Sequence, residues 1–372
     1  MRTSDVTGTP QAPPCSLEDA PEPVVSVVVL ACNIAPYIEQ CLRSLENQSF
    51  RAFEVIIVND GSTDATGEFA HRVARQDRRM SVIDNPRNRG TFVSRCIGAE
   101  RSRGEYLCMI DGDDWVAPTF LQEMLAAARR HDADVVECSA YGVRSDGRPR
   151  VVFRAESSPR DARGSDILRH ALGRDIWHIA WSKMIDRRLY LRASPMLCAI
   201  DDHLVVADDK LFMLPILGFA RHFVHIDRPL YRYRLRADSS TRLRNADADL
   251  RHILQTSLVD EHLRDMLATL GVAGEHARLI ASNRDDEILI ALRILDRYPV
   301  DDPTRRKLEG LLRSKYGSQV VESVARRRGR GSGRLLGLLR RYSWHTLARM
   351  AWRSARRAAG IALHRRIDRQ PI

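Results

Sequence analysis

The stretch that most constrains this chain runs from Gly104 to Trp115 and reads G-E-Y-L-C-M-I-D-G-D-D-W. Tyr106 to Ile110 is a short apolar run entered from a glycine, the pattern of a strand buried on both faces of a parallel sheet. It stops at three carboxylates, Asp111, Asp113 and Asp114. In open α/β sheets ligands collect outside the carboxyl ends of strands, so acids placed there are better situated for chemistry than for packing. Carboxylates this close repel one another unless a cation is near, and an all-oxygen set suits Mn²⁺ or Mg²⁺, which also keep waters or substrate phosphates. The plainer alternative is a polar turn in which Asp114 caps the next helix.

The same logic recurs upstream. Val24 to Leu30 is a continuous β-branched run, hence a central strand, and it ends in Ala31-Cys32-Asn33 before Pro36, a helix start. Phe53 to Val58 is a second buried strand that ends in Asn59-Asp60-Gly61-Ser62-Thr63-Asp64, an acid and a glycine turn followed by helix-capping residues. Met80 to Ile83 reads as a third strand, and Asn88-Arg89-Gly90 opens a helix carrying Arg95 and Gly98. Strands alternating with helical patterns mean βαβ units, an α/β fold with a mostly parallel sheet. Parallel strands point the same way, so Asp60 and the 111 to 114 acids face one crevice. There is no G-x-G-x-x-G after the first strand and no G-x-x-x-x-G-K-[ST], so a metal held by the carboxylates has to do the work of a phosphate cradle.

Together V-S-V-V-V at 25 to 29, V-N-D-G-S-T-D at 58 to 64, N-R-G at 88 to 90 and the 104 to 115 segment resemble the inverting, nucleotide-sugar-dependent glycosyltransferases of family 2, over roughly residues 24 to 240. The resemblance implies the GT-A fold, a Rossmann-like mostly parallel sheet flanked by helices. It implies that Asp60 hydrogen-bonds the nucleotide base, usually uracil, that Asp111 lies near the ribose, and that Asp113 coordinates Mn²⁺ or Mg²⁺ on the diphosphate. Arg95 stands where such enzymes keep an arginine near the nucleotide. The first strand departs from the family's P-x-Y-N: this chain keeps Asn33 but has Cys32, which cannot stack as a ring does.

Downstream, Trp181-Ser182-Lys183 resembles the W-x-K element placed near donor or acceptor, although a tryptophan near a helix start also suits a core. Ala207-Asp208-Asp209-Lys210-Leu211-Phe212 resembles the family's E-D-x-x-F, with Asp208 for the usual Glu, which makes Asp209 the base by position. An inverting displacement needs one carboxylate to take the acceptor hydroxyl's proton; the same pair also suits the first turn of a helix over Lys210 to Leu217. Tyr231-Arg232-Tyr233-Arg234, with Asp238-Ser239-Ser240 after it, resembles a Y-x-Y-R segment over the diphosphate, which makes Arg234 a donor-binding candidate. Its alternation fits an amphipathic edge strand equally. Asp146-Gly147 suggests a hairpin tip. The rival functions are a sugar nucleotidyltransferase, whose usual glycine-rich basic loop after the first strand is missing from Ala31 to Pro36, and a non-catalytic nucleotide-sugar-binding protein, which the acids disfavour.

Composition bounds the remainder. The 372 residues exceed one typical domain. The expected division is a disordered proline-rich leader over 1–23, a GT-A domain over 24–243, a helical extension over 244–325 and a basic tail over 326–372. The formal charge of +11 is uneven, since Arg326 to Ile372 holds 14 arginines against the single acid Asp368 and the rest is slightly acidic. With Leu335, Leu339, Trp344 and Trp352, that tail suits an anionic membrane surface; nucleic acid is the rival, disfavoured partner. Seven cysteines without a C-x-x-C pair point to neither a disulfide framework nor a zinc site and fit a reduced cytoplasm. Neither a secretory h-region nor ~18 consecutive apolar residues is present. The expected enzyme sits at the inner face of a plasma membrane and glycosylates a glycan or lipid-linked acceptor of an envelope or surface polysaccharide.

Overall fold

The computed structural model describes residues 22–143, 149–153, 159–236 and 245–329. Most of the expected leader, the Asp146-Gly147 tip, Asp238-Ser239-Ser240 and the tail from Arg330 onward lie outside the described residues. The first four strands are β1 (Val25–Ala31), β2 (Phe53–Asp60), β3 (Met80–Asn85) and β4 (Tyr106–Asp111). They pair in parallel in the order β3-β2-β1-β4. The crossovers are α1 (Ala35–Glu46), α2 (Thr66–Ala74) and α3 (Thr91–Arg101).

The continuous apolar runs have a simple cause. Along β1, Val25, Val27 and Val29 enter the core cluster on the α1 side of the sheet, whereas Val28 and Leu30 enter the cluster on the α3 side. Side chains alternate across a strand, so a strand covered on both faces has no polar position to spare.

The second half is mixed. It contains β5 (Trp115–Val116), α4 (Phe120–His131), β6 (Val135–Val143), β7 (Pro149–Phe153), β8 (Asp161–Arg163), α5 (Ser165–Gly173), β9 (Lys183–Asp186), α6 (Arg187–Leu197), α7 (Asp208–Phe219) and β10 (His222–Arg234). β9 is antiparallel to both β4 and β6 and joins the halves, giving the path β3-β2-β1-β4-β9-β6-β10-β5 in a ten-stranded sheet of described residues. β10 runs parallel to β6, and its register shifts around Pro229 before Tyr231. A proline has no N–H for the ladder and is tolerated at such a bulge. With β6 on one side and β5 and β8 on the other, β10 is an inner strand, not the edge strand its Tyr/Arg alternation allowed. Trp181 enters β9 through a bridge to Met109, so it does not open a helix.

α7 is buried from Lys210 through Leu217, as a helix apolar all round must be. Behind it lies the helical extension: α8 (Ala246–Thr269), α9 (Ala277–Leu295), α10 (Pro303–Tyr316) and α11 (Ser318–Gly329). Val259, Leu263, Met266 and Leu267 of α8 join the core that α7 fills, while α9 to α11 share a smaller one with Ile253. α11 continues to Gly329, past the boundary expected at 325.

Candidate active site

At the tip of β4 the three acids take different roles. Gly112 lets the turn lie against β1, for a Cβ there would sit 2.6 Å from the Leu30 carbonyl oxygen. Asp114 is fully buried; it accepts hydrogen bonds from the Tyr231 hydroxyl at 2.8 Å and the Arg234 backbone N–H at 2.7 Å. It therefore ties β10 to the turn and faces neither crevice nor solvent. Burial, then Asp113 and Asp111, pushes its carboxyl well up. Asp113 points outward and pairs with Arg236 at 3.2 Å. The Arg234 Nε donates to the Asp113 carbonyl at 2.7 Å, and its guanidinium lies over the rings of Tyr37 and Trp115. The carboxylate is thus held by Arg236, which the sequence did not mark out, and the backbone carbonyl by Arg234; the spacing of Arg236 two residues further along the same segment was the available signal.

Asp60 ends β2 with only 4% of its surface exposed. One of its oxygens accepts from the Asn85 side chain and the Arg89 N–H, each at 2.8 Å, and the other from the Gly90 N–H at 3.0 Å. In this conformation it holds the 85 to 90 loop. Asn33, in the left-handed region at φ 51°, accepts from the Thr63 N–H at 2.8 Å and so closes the 61 to 64 turn. Cys32 fills the place beside it, 3.0 Å from the Asn88 amide nitrogen.

The second acid group enters from α7. Asp208 pairs with Arg95 Nη1 at 2.5 Å and Asp209 with Arg95 Nη2 at 3.0 Å. Arg95 is 3% exposed and engaged by both acids, and its charge also reaches Asp111. Asp209 also accepts the Ala180 N–H at 3.2 Å. Trp181 is buried and stacks on Tyr231 and Tyr233, with centroids 4.7 and 5.3 Å apart. Lys183, the first residue of β9, is fully buried, 2.7 Å from Glu137, whose other oxygen meets His225 at 3.1 Å, and its charge reaches Asp209.

The two groups share one electrostatic environment. The Asp209 carboxyl is pushed up to about 6 by burial, against the pull of Arg95 and with the help of Asp208. Asp111 rises to about 8 through burial and the charge of Asp209, with Arg95 opposing. A carboxylate of raised pKa facing a crevice is suited to take a proton near neutral pH. Among the described residues no three His, Cys, Asp or Glu side chains converge on a metal position. The residues that could hold Mn²⁺ or Mg²⁺, ions that take one or two carboxylates and complete their shell with phosphate and water, are Asp113 and Asp111.

The family described as glycosyl transferase family 2 matches residues 26–189. The uncharacterized glycosyltransferase EpsJ of Bacillus subtilis (strain 168) is 31% identical over 267 residues, 71% of this chain and 73% of that protein. The uncharacterized glycosyltransferase YibD of Escherichia coli (strain K12) is 26% identical over 320 residues, 80% of this chain and 90% of that one. In fold the chain is similar to S. aureus TarS 1-349 in complex with UDP-GlcNAc, with a TM-score of 0.52 at 21% identity, covering 82% of this chain and 92% of that one.

Proposed function

This chain belongs to glycosyltransferase family 2, and from that premise we propose that it moves one sugar from a nucleoside-diphosphate sugar, a UDP-sugar, to an acceptor hydroxyl with inversion at the anomeric carbon. The observation that supports this reading is the nearness of two acid groups whose charges act on one another: Asp111 and Asp113 at the end of β4, and Asp209, with its carboxyl at about 6, at the start of α7. Asp209 takes the proton from the acceptor oxygen as that oxygen attacks C1. Arg95 keeps the base charged and oriented, while Arg234 and Arg236 face the leaving diphosphate with positive charge. Asp113, with Asp111 behind it, would hold Mn²⁺ or Mg²⁺; when bound, such an ion offsets charge on the diphosphate. TarS crystallised with UDP-GlcNAc supports starting the donor search with UDP-sugars.

The acceptor belongs to an envelope or surface glycan, free or lipid-linked, and the arginine-rich tail holds the enzyme at an anionic inner membrane face. The tail's charge supports this, and no described helix is long and apolar enough to cross a membrane. A screen of UDP-, GDP- and dTDP-hexoses for metal-dependent hydrolysis and thermal stabilisation tests the reading. A UDP-hexose should be turned over in Mn²⁺, and Asp113→Asn should lose turnover and the metal-dependent part of donor binding. Full activity in EDTA would sink the metal assignment.

A further inference from the structure

Beside its apolar contacts, the extension meets the catalytic half through a polar stripe. α8 already inserts Val259, Leu263, Met266 and Leu267 into the core. On α9, however, Asn283, Asp286 and Glu287 fall at i, i+3 and i+4, on one face, and all are buried. Glu287 lies 3.6 Å from Lys210, the residue after Asp209, and Asp260 of α8 faces the same ammonium. Asp286 lies 3.0 Å from Arg174, the residue that closes α5 in the left-handed conformation. Asn283 reinforces that arm: it accepts from Arg174 Nε at 3.0 Å and donates to the Leu172 carbonyl at 2.7 Å.

Besides Arg95 of α3, two elements hold the Asp209 carboxylate, and the two arms reach both. Lys210 lies in the first turn of α7, which carries Asp209, and Arg174 begins the segment running to Ala180, whose N–H donates to Asp209. Buried ion pairs add little net stability over apolar residues of the same volume, so pairs retained here are better explained by the geometry they specify. We propose that Asp286 and Glu287 are positioning residues for the catalytic base, so that one turn of α9 sets both the helix that presents Asp209 and the N–H that orients it. This rests on Asp209 being the base.

The test uses the full-length chain with UDP-N-acetylglucosamine and Mn²⁺ as the probe. Glu287→Gln and Asp286→Asn should each lower kcat by ~10- to 100-fold, the scale of a misplaced catalytic group. The donor KM should stay within about twofold, because the donor side of the crevice is untouched. Hydrogen exchange should quicken in peptides covering 174–181 and 207–217, a readout that needs no turnover. If Glu287→Gln does not fold, Glu287→Asp, which keeps the charge and shortens the reach, should show the same split between kcat and KM in weaker form. Wild-type kcat and unchanged exchange in these variants, while Asp209→Asn is inactive, overturn the inference alone. An Asp209→Asn variant as active as wild type removes the base assignment and the inference with it.

Discussion

Asp208 and Asp209 are neighbours in sequence and share one arginine, yet their surroundings differ. Asp209 is the one that accepts from Ala180 and has its carboxyl raised to about 6 by burial. A base works when deprotonated, so kcat/KM should rise with pH through about 6 and level off above it. Asp209→Asn should lose ~10²–10⁴ in kcat with donor binding kept, and should erase that acid limb from the pH profile. Asp208 is buried against Arg95 at 2.5 Å. Asp208→Asn should therefore act mainly on the fold, lowering stability by about 3–5 kcal/mol, as breaking one side of a buried pair does; thermal melts of both variants check this ordering. The sequence pattern located both acids and, through its resemblance to E-D-x-x-F, named Asp209 as the base; what it did not show is the arginine that the two acids share. That partner, Arg95, stands 113 positions from Asp208, a separation over which side-chain pairing leaves no periodic trace.

At the scale of elements, the nucleotide end of the crevice is shaped by loops braced against each other. Gly90 has φ +87°, donates to Asp60, and packs so closely on the 199 to 207 loop that a Cβ would fall 2.7 Å from the Leu204 carbonyl oxygen. Gly90→Ala should cost about 1–3 kcal/mol in backbone strain. It should also weaken nucleotide binding, measured by calorimetry with UDP, by on the order of tenfold (1.4 kcal/mol); unchanged affinity would show that this brace does not shape the site. Legibility follows the same physics. β1, β2 and β4 were readable because burial on both faces writes a continuous apolar run. β5, β8 and β9 were not, since two to four residues held by their neighbours carry no period of their own. Trp181-Ser182-Lys183 leads into a strand where a helix start was expected for a related reason, because Ser182 turns through φ 61° and the pairing that defines β9 comes from β4 and β6.

For the molecule as a whole, the arginine-rich tail follows a helix whose Val321 and Val324 are buried in the extension's core. A cut at Val324 would open that core, so the informative truncation comes after Gly329. It should leave donor hydrolysis nearly unchanged and abolish co-sedimentation with anionic vesicles, each engaged arginine being worth about 1 kcal/mol. Full-length protein that ignores such vesicles but binds DNA with a steep salt dependence would assign the tail to nucleic acid. The sheet's own connectivity has a further consequence, for the order in which a nascent chain can fold. β3, β2, β1 and β4 are contiguous in sequence and can assemble as soon as β4 has emerged. The edge of β4 then stays open until Lys183–Asp186 arrives to pair with it and with β6. That is roughly 70 residues of synthesis, several seconds at ~5–20 residues per second, during which an apolar strand is exposed on the ribosome. Chaperone capture and misassociation should concentrate in that interval, and four short residues of β9 end it.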